Sequence, residues 1–243
     1  FADRQRHFAA LRRKRAISPE KRPPMRQVIS SNGVEIVNLI TEKRALSSVV
    51  TLLKVKAPDI AKRVKAGQFI ILRVDEKGER IPLTVAEGNP ETGEVTIMFQ
   101  IAGATTEKLN HLNEGEYIHD FVGPLGTPTH TEGLKKVAVI GGGVGCAIAY
   151  PVAKKLHQLG AEVHSIVGFR NKDLVLLQDE FRAVSDVMKI MTDDGSAGEK
   201  GLVTTALEQL IRDGNEYDEV VAIGPLVTSN DEICLPAHKG VWH

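Results

Sequence analysis

Between residues 34 and 121 the apolar positions fall in short alternating or β-branched runs: VEIVNLIT, SVVTLLKVK, GQFIILRV, EVTIMFQI and YIHDF. Turn signals separate them at KAG (65–67), EKGE (76–79) and NPETGE (89–94). Several short strands at close spacing, with little helical periodicity between them, predict a small antiparallel β-barrel. One helix interrupts it, opening near Thr105 and Thr106 and running through Leu109.

After Gly133 the rhythm changes. KKVAVIG is a continuous apolar strand, and residues 145–159 show helical spacing. AEVHSIVG follows as a second strand, 173–185 as a second helix, MKIMT as a third strand, 201–212 as a third helix and DEVVAIG as a fourth strand. Such alternation implies right-handed crossovers and a parallel sheet covered on both faces. The expected fold is a β-barrel over 27–130 followed by an α/β domain over 131–226, with the boundary near 123–134 in GPLGTPTHTEG. Two end segments stand apart, 1–26 and 227–243.

Composition adds limits. A chain of 243 residues, 42% hydrophobic, can bury a core in each of two domains. Lys plus Arg equals Asp plus Glu at 31 each, so no global field draws it to nucleic acid or an anionic membrane. No run approaches the roughly 20 apolar residues of a membrane span, and the N-terminus lacks a signal-peptide core, so a cytoplasmic setting is expected. The first 26 residues carry nine Lys or Arg against two acids. Phe1, Phe8 and Leu11 can form an apolar stripe there, which favours an arm packed on another subunit or domain over a nucleic-acid binder, since aromatic interleaving is absent. Cys146 and Cys234 read as free thiols in a reducing compartment, and no metal site is expected.

The strongest chemical signal is VAVIGGGVGCA at 137–147, a buried strand running into glycines and then a helix. Glycines let the backbone approach a pyrophosphate, and the helix start offers it free N–H groups and a positive dipole end. Gly141, Gly142, Gly143 and Gly145 form the turn; Cys146 departs from the GxGxxG dinucleotide pattern. Ligands of an open parallel sheet sit beyond the carboxyl ends of its strands. Other strand ends carry Gly168 and Arg170, then Asp193, Asp194 and Gly195, then Gly224 and Pro225. Arg170 reads equally as a ribose or phosphate contact and as a surface ion pair. In the barrel, ERIPLT (79–84) sets an arginine fork, a proline and a hydroxyl at a strand start, and IAGATTEKL (101–109) offers a second anion cradle. By spacing alone each is also an ordinary turn with its cap.

Taken in order, RIPLT, AGATT, GPLGTPT, VIGGGVG, GFRNKDL, DDGS and AIGP resemble the electron-transfer subunits of the ferredoxin reductase superfamily, over roughly residues 30–226. The nearest branches are the small subunits of NADH-dependent reduced ferredoxin:NADP oxidoreductases and the dihydroorotate dehydrogenase electron-transfer subunits. The resemblance implies that Arg80, Pro82, Leu83 and Thr84 contact the flavin and its ribityl diphosphate, and that Gly103, Ala104, Thr105 and Thr106 hold the pyrophosphate of FAD. It further implies that Gly141, Gly142, Gly143, Val144, Gly145, Gly168, Arg170, Asp194, Gly224 and Pro225 line a nicotinamide dinucleotide site. NAD(H) is the expected nucleotide, with NADP(H) as the alternative, since no clear basic pair follows the second strand beyond Arg170 and Lys172. The implied reaction is hydride transfer between nicotinamide C4 and flavin N5, which needs no catalytic acid or base.

The implied partner is a larger subunit bearing a second flavin and iron–sulfur clusters, with ferredoxin a further candidate and electron bifurcation the setting. Relatives carry four clustered cysteines for a [2Fe–2S] centre past the AIGP motif; this chain has only Cys234 there, so it is not expected to hold that cluster. ISPEKRPPMR resembles the start of the glutamate-synthase-like large subunit, implying a fused or discontinuous chain. Pro82 and Leu83 stand where plant-type reductases have a ring-stacking aromatic. Two other readings stand beside the leading one: a dihydroorotate-type partner, and a flavin-binding scaffold that does not turn over NADH. The glycine bend and the RIPLT strand are expected to face each other across one cleft.

Overall fold

A computed structural model describes residues 26–30, 33–224 and 241–242. Strands β1 (Arg26–Ser30) and β2 (Gly33–Val37) pair as a hairpin. Six further strands, β3 (Ile40–Ala45), β4 (Val50–Lys56), β5 (Phe69–Arg73), β6 (Arg80–Asn89), β7 (Glu94–Gln100) and β8 (Asp120–Leu125), form one antiparallel sheet in the order β3-β4-β7-β6-β5-β8. Its ends curl together where Leu39 bridges Tyr117 and where Ile40 N donates to Glu116 O at 2.9 Å. Inward residues such as Leu53, Ile70, Leu72, Ile97 and Phe99 fill the barrel. Helix α1 (Pro58–Ala61) covers one end, and α2 (Ala104–His111) adds Leu109 to the core.

Three details differ from the sequence expectation. VEIVNLIT is two strands, because Asn38 takes φ 63°, a left-handed conformation that asparagine tolerates better than most residues. YIHDF contributes only Asp120 and Phe121 to β8, since Tyr117 and Ile118 are spent closing the barrel against Leu39 and Asn38. The single turn of α1 is too short to leave a periodic signature.

The second half holds β9 (Lys136–Gly142), α3 (Gly145–Gln158), β10 (Glu162–Phe169), α4 (Gln178–Ala183), β11 (Val187–Thr192), β12 (Glu199–Lys200), α5 (Val203–Arg212), β13 (Glu219–Ile223) and β14 (Val241–Trp242). The sheet is parallel throughout, in the order β12-β11-β10-β9-β13-β14. Alternation along β9 dictates its two cores. Val137 and Val139 meet Ala149, Val152 and Leu156 of α3 on one face; Ala138 and Ile140 meet Ala206, Leu207 and Leu210 of α5 on the other. The helix expected over 173–185 is instead a 3₁₀ turn at Lys172–Leu174 and the short α4. Adjacent Leu176 and Leu177 are both buried, and Leu177 at φ 58° breaks the helical path between the two pieces. The two-residue β12 was not anticipated.

The halves share packing. Val50 of β4, with Leu46, Val49 and Met98, joins the α3-side core, and Lys154 of α3 pairs with Glu87 of β6 at 2.7 Å. Among the described residues no helix is long and apolar enough to cross a membrane.

Candidate functional site

From β9 the chain steps through β10 to β11 on one side and places β13 on the other, which makes the carboxyl end of β9 the topological switch point of the sheet. The glycine turn lies there. A Cβ on Gly141 would stand 2.9 Å from Cys146 Cα, and one on Gly145 would stand 2.4 Å from Ile223 O. These two residues are glycine because α3 starts in contact with β9 and β13. Among the described residues nothing crowds a Cβ built on Gly143, and its need is conformational, φ +54°. Its N–H donates to Gly168 O at 2.8 Å, linking the ends of β9 and β10. Gly168 in turn leaves room for the start of α5, since a Cβ there would meet Val203 Cγ1 at 2.5 Å.

A cleft of about 540 Å³ opens over these strand ends, within the usual range of roughly 300–1,000 Å³ for a small-molecule site. Gly142, Gly143, Val144, Gly168 and Arg170 come together on its wall. Gly141 is buried beneath, and Gly145 with it. Gly224 follows β13, its Cα 3.0 Å from where a Gly145 Cβ would project; Pro225 lies outside the described residues. Asp193, rather than Asp194, is on the wall. Asp194 accepts from Ser196 Oγ at 2.6 Å and from Ser196 N at 2.9 Å, and these bonds, the hydroxyl first, hold its carboxyl below the usual range. Cys146 is fully buried, and burial pushes its thiol far above the ordinary value, so it is an inert packing residue.

The wall opposite comes from the barrel: Ser47, Val49, Val50 and Gln100. The RIPLT segment is not on the wall of this cleft. It lies on the next strand. β6 pairs with β5 from Arg80 to Thr84 but with β7 only from Val85 onward. Val85 N donates to Gln68 O on the β5 side, so backbone alternation turns the polar groups of Thr84 and Pro82 toward the other, unpaired edge. Proline suits a place where no ladder N–H is required.

At the mouth of that fork stands the start of α2. Thr106 Oγ1 accepts from Ala102 N (3.0 Å) and Gly103 N (3.1 Å) and donates to Gly103 O. The first-turn N–H groups beyond, at Ala104 and Thr105, have no intrahelical partner. Thr105 Oγ1 donates to Glu79 Oε2 at 3.0 Å, which brings the AGATT turn beside the start of β6. Arg80 is 63% exposed, with its guanidinium 3.8 Å from an Asp120 carboxylate already held by Arg73 at 2.7 Å. Among the described residues, chain neighbours aside, no atom lies within 4 Å of a Cβ built on Gly103. An open glycine, unpartnered N–H groups and a largely uncommitted guanidinium form a donor set that fits a diphosphate, and the bare β6 edge fits the rim of a flat ring.

Sequence reasoning missed the barrel wall of the cleft and also Leu174, Leu176, Leu202 and Val203 on its far side. The serine-rich turn at 47–48 and the Gly201–Leu202 step carry no chemical motif; only tertiary packing brings them to the site.

No model of a protein family matches the chain. A Thermotoga maritima protein named as a homolog of the dihydroorotate dehydrogenase B (NAD(+)) electron transfer subunit is 42% identical over 195 residues, covering 80% of this chain and 68% of that protein. The electron transfer subunit of Streptococcus mutans dihydroorotate dehydrogenase B is 35% identical over 157 residues, 63% of this chain and 60% of its own length. Among solved structures, that of an NADH-dependent reduced ferredoxin-NADP oxidoreductase, described for flavin-based electron bifurcation, superposes with a TM-score of 0.74 at 41% identity, over 79% of this chain and 69% of that one. The chain therefore belongs to the family of the dihydroorotate dehydrogenase B electron-transfer subunits, oxidoreductase components with a ferredoxin reductase-like fold.

Proposed function

We propose that residues 27–130 hold FAD, that residues 131–226 receive NAD(H), and that the chain relays reducing equivalents from one to the other and on to a partner subunit. The observation that carries this reading is the run of β7: Gln100 stands on the wall of the strand-end cleft, and three residues later Gly103 opens the α2 cradle. The two candidate sites thus meet at one strand end.

In this reading Arg80 and the N–H groups of Ala104 and Thr105 bind the FAD diphosphate beside the open Gly103, with Thr106 holding the turn, while Pro82, Leu83 and Thr84 present the β6 edge to the ring. Gly141 to Gly145 bring the α3 N-terminus to the dinucleotide pyrophosphate, and Gly168, Arg170, Asp193 and Gly224 surround the rest. When bound, FAD would supply the chemistry, accepting a hydride at N5 and releasing electrons singly. The protein's own part is orientation, exclusion of water and charge placement. No side chain on the cleft wall is needed as an acid or base.

The partner would be a larger subunit carrying flavin and iron–sulfur centres, in a bifurcating complex that uses ferredoxin and NADP. The 41% identity to the bifurcating oxidoreductase supports this assembly. The 42% identity to the dihydroorotate-type homolog supports the alternative partner, and copurification with one flavoprotein or the other separates them. Anaerobic stopped-flow mixing of the FAD-loaded chain with NADH tests the core claim. Bleaching of the flavin band is expected; an unbleached flavin would make the chain a scaffold.

A further inference from the structure

We infer that Gln100 is the residue that recognises the nicotinamide carboxamide on the barrel side of the cleft; this rests on the proposed reading of the cleft as a dinucleotide site. The polar side chains on the cleft wall are Ser47, Gln100, Arg170 and Asp193. Ser47 Oγ is committed to its own turn, accepting from Val50 N at 3.2 Å and Val49 N at 3.3 Å. Arg170 and Asp193 follow β10 and β11, and the centre of β11 lies two inter-strand steps, about 10 Å, from β9. Gln100 alone is on the barrel side with its amide unengaged among the described residues. Its backbone is fixed, cross-strand from buried Val50 and followed by an Ile101 N–H that donates to Val49 O at 2.8 Å.

A pyrophosphate over the glycine turn leaves one nucleoside toward Arg170 and Asp193 and the other toward Gln100. A carboxylate and a guanidinium match ribose hydroxyls and phosphate. A primary amide offers one acceptor and two donors in a plane, the complement of another primary amide, which the nicotinamide ring bears; adenine N6 and N7 also pair with such a group, so a ligand that keeps adenine and lacks nicotinamide is the control that separates the two.

The test is calorimetric titration of the FAD-loaded chain with NAD+ and, separately, with ADP-ribose, which lacks the nicotinamide ring. Gln100→Leu should weaken NAD+ about tenfold and leave ADP-ribose unchanged, as expected for the loss of one or two net hydrogen bonds. Gln100→Glu, which keeps the shape and loses the donors, should fall between wild type and Gln100→Leu. Equal weakening of both ligands, or no change in either, would overturn the assignment while leaving the cleft a nucleotide site. A wild-type chain that binds neither ligand would instead overturn the dinucleotide reading and this inference with it.

Discussion

Thr105 Oγ1 donates to Glu79 Oε2 across 3.0 Å, and that bond ties the first turn of α2 to the residue preceding Arg80. Two segments separated by more than twenty residues in sequence thereby share one patch of surface. Glu79 is itself anionic, so Arg80 is the group that makes the patch tolerable to a diphosphate.

It follows that Arg80→Ala should lose a charge-assisted contact of roughly 1.5–3 kcal/mol, about tenfold or more in FAD affinity. Arg80→Lys should recover part of it, lacking the fork but keeping the charge. Stability should hardly move, because the side chain is 63% exposed. Fluorescence titration of apoprotein with FAD is the measurement, and full retention of FAD by Arg80→Ala would rule the contact out.

The glycine turn makes a paired prediction. Gly143→Ala adds a Cβ to open space at φ +54° and should cost about 1–2 kcal/mol of backbone strain. Gly145→Ala drives its Cβ to 2.4 Å from a β13 carbonyl and should cost up to about 3 kcal/mol, by prying α3 off the sheet. Denaturant midpoints for the two variants should fall in that order; the reverse order would mean that the helix start has more slack than its contacts indicate.

How much of this was legible beforehand divides along physical lines. The βα alternation and the glycine turn were readable because each is local: a period in β9, a helical repeat in α3, a conformational need at Gly143. The break at Leu177 was hidden because its cause is tertiary, two consecutive leucines buried in one core. Likewise Ser47, Val49, Val50 and Gln100 look like ordinary strand-end residues until β4 and β7 dock against the α/β half. The aspartates show the limit within a legible motif. DDGS marked the right loop, yet the Ser196 hydrogen bonds that hold Asp194, and the wall position of Asp193, are not properties of the motif alone.

Asp218 governs a pH effect. Its carboxylate accepts from Lys136 N at 2.9 Å and Lys135 N at 2.6 Å, and these backbone bonds hold its pKa below the ordinary value. A folded pKa depressed below the unfolded one, about 3.9, gives stability that is fully present above that value and is lost as pH falls through the folded pKa. Urea unfolding of wild type and Asp218→Ala should therefore differ by a constant amount from pH 7 to 5, and the two should converge below about pH 4. A gap that persists in acid would assign the effect to the lost side chain rather than its charge.

Asp193 should decide between the two nicotinamide dinucleotides. It stands on the cleft wall after β11, on the side of the glycine turn that Arg170 also faces, where an adenosine ribose would lie if the carboxamide end meets Gln100. A carboxylate accepts from a ribose 2′-hydroxyl and repels a 2′-phosphate, so the wild-type chain should prefer NADH. Replacing Asp193 with Ser removes the repulsion and opens Arg170 to the phosphate, and the ratio of NADPH to NADH affinity should rise at least tenfold. Asp194→Ser should change that ratio much less, because its carboxylate is already engaged by Ser196. Titrations with both nucleotides on the two variants make the comparison direct. If Asp194→Ser shifts the ratio and Asp193→Ser does not, the roles of the neighbours are exchanged, and the Ser196 bonds must then break when nucleotide binds.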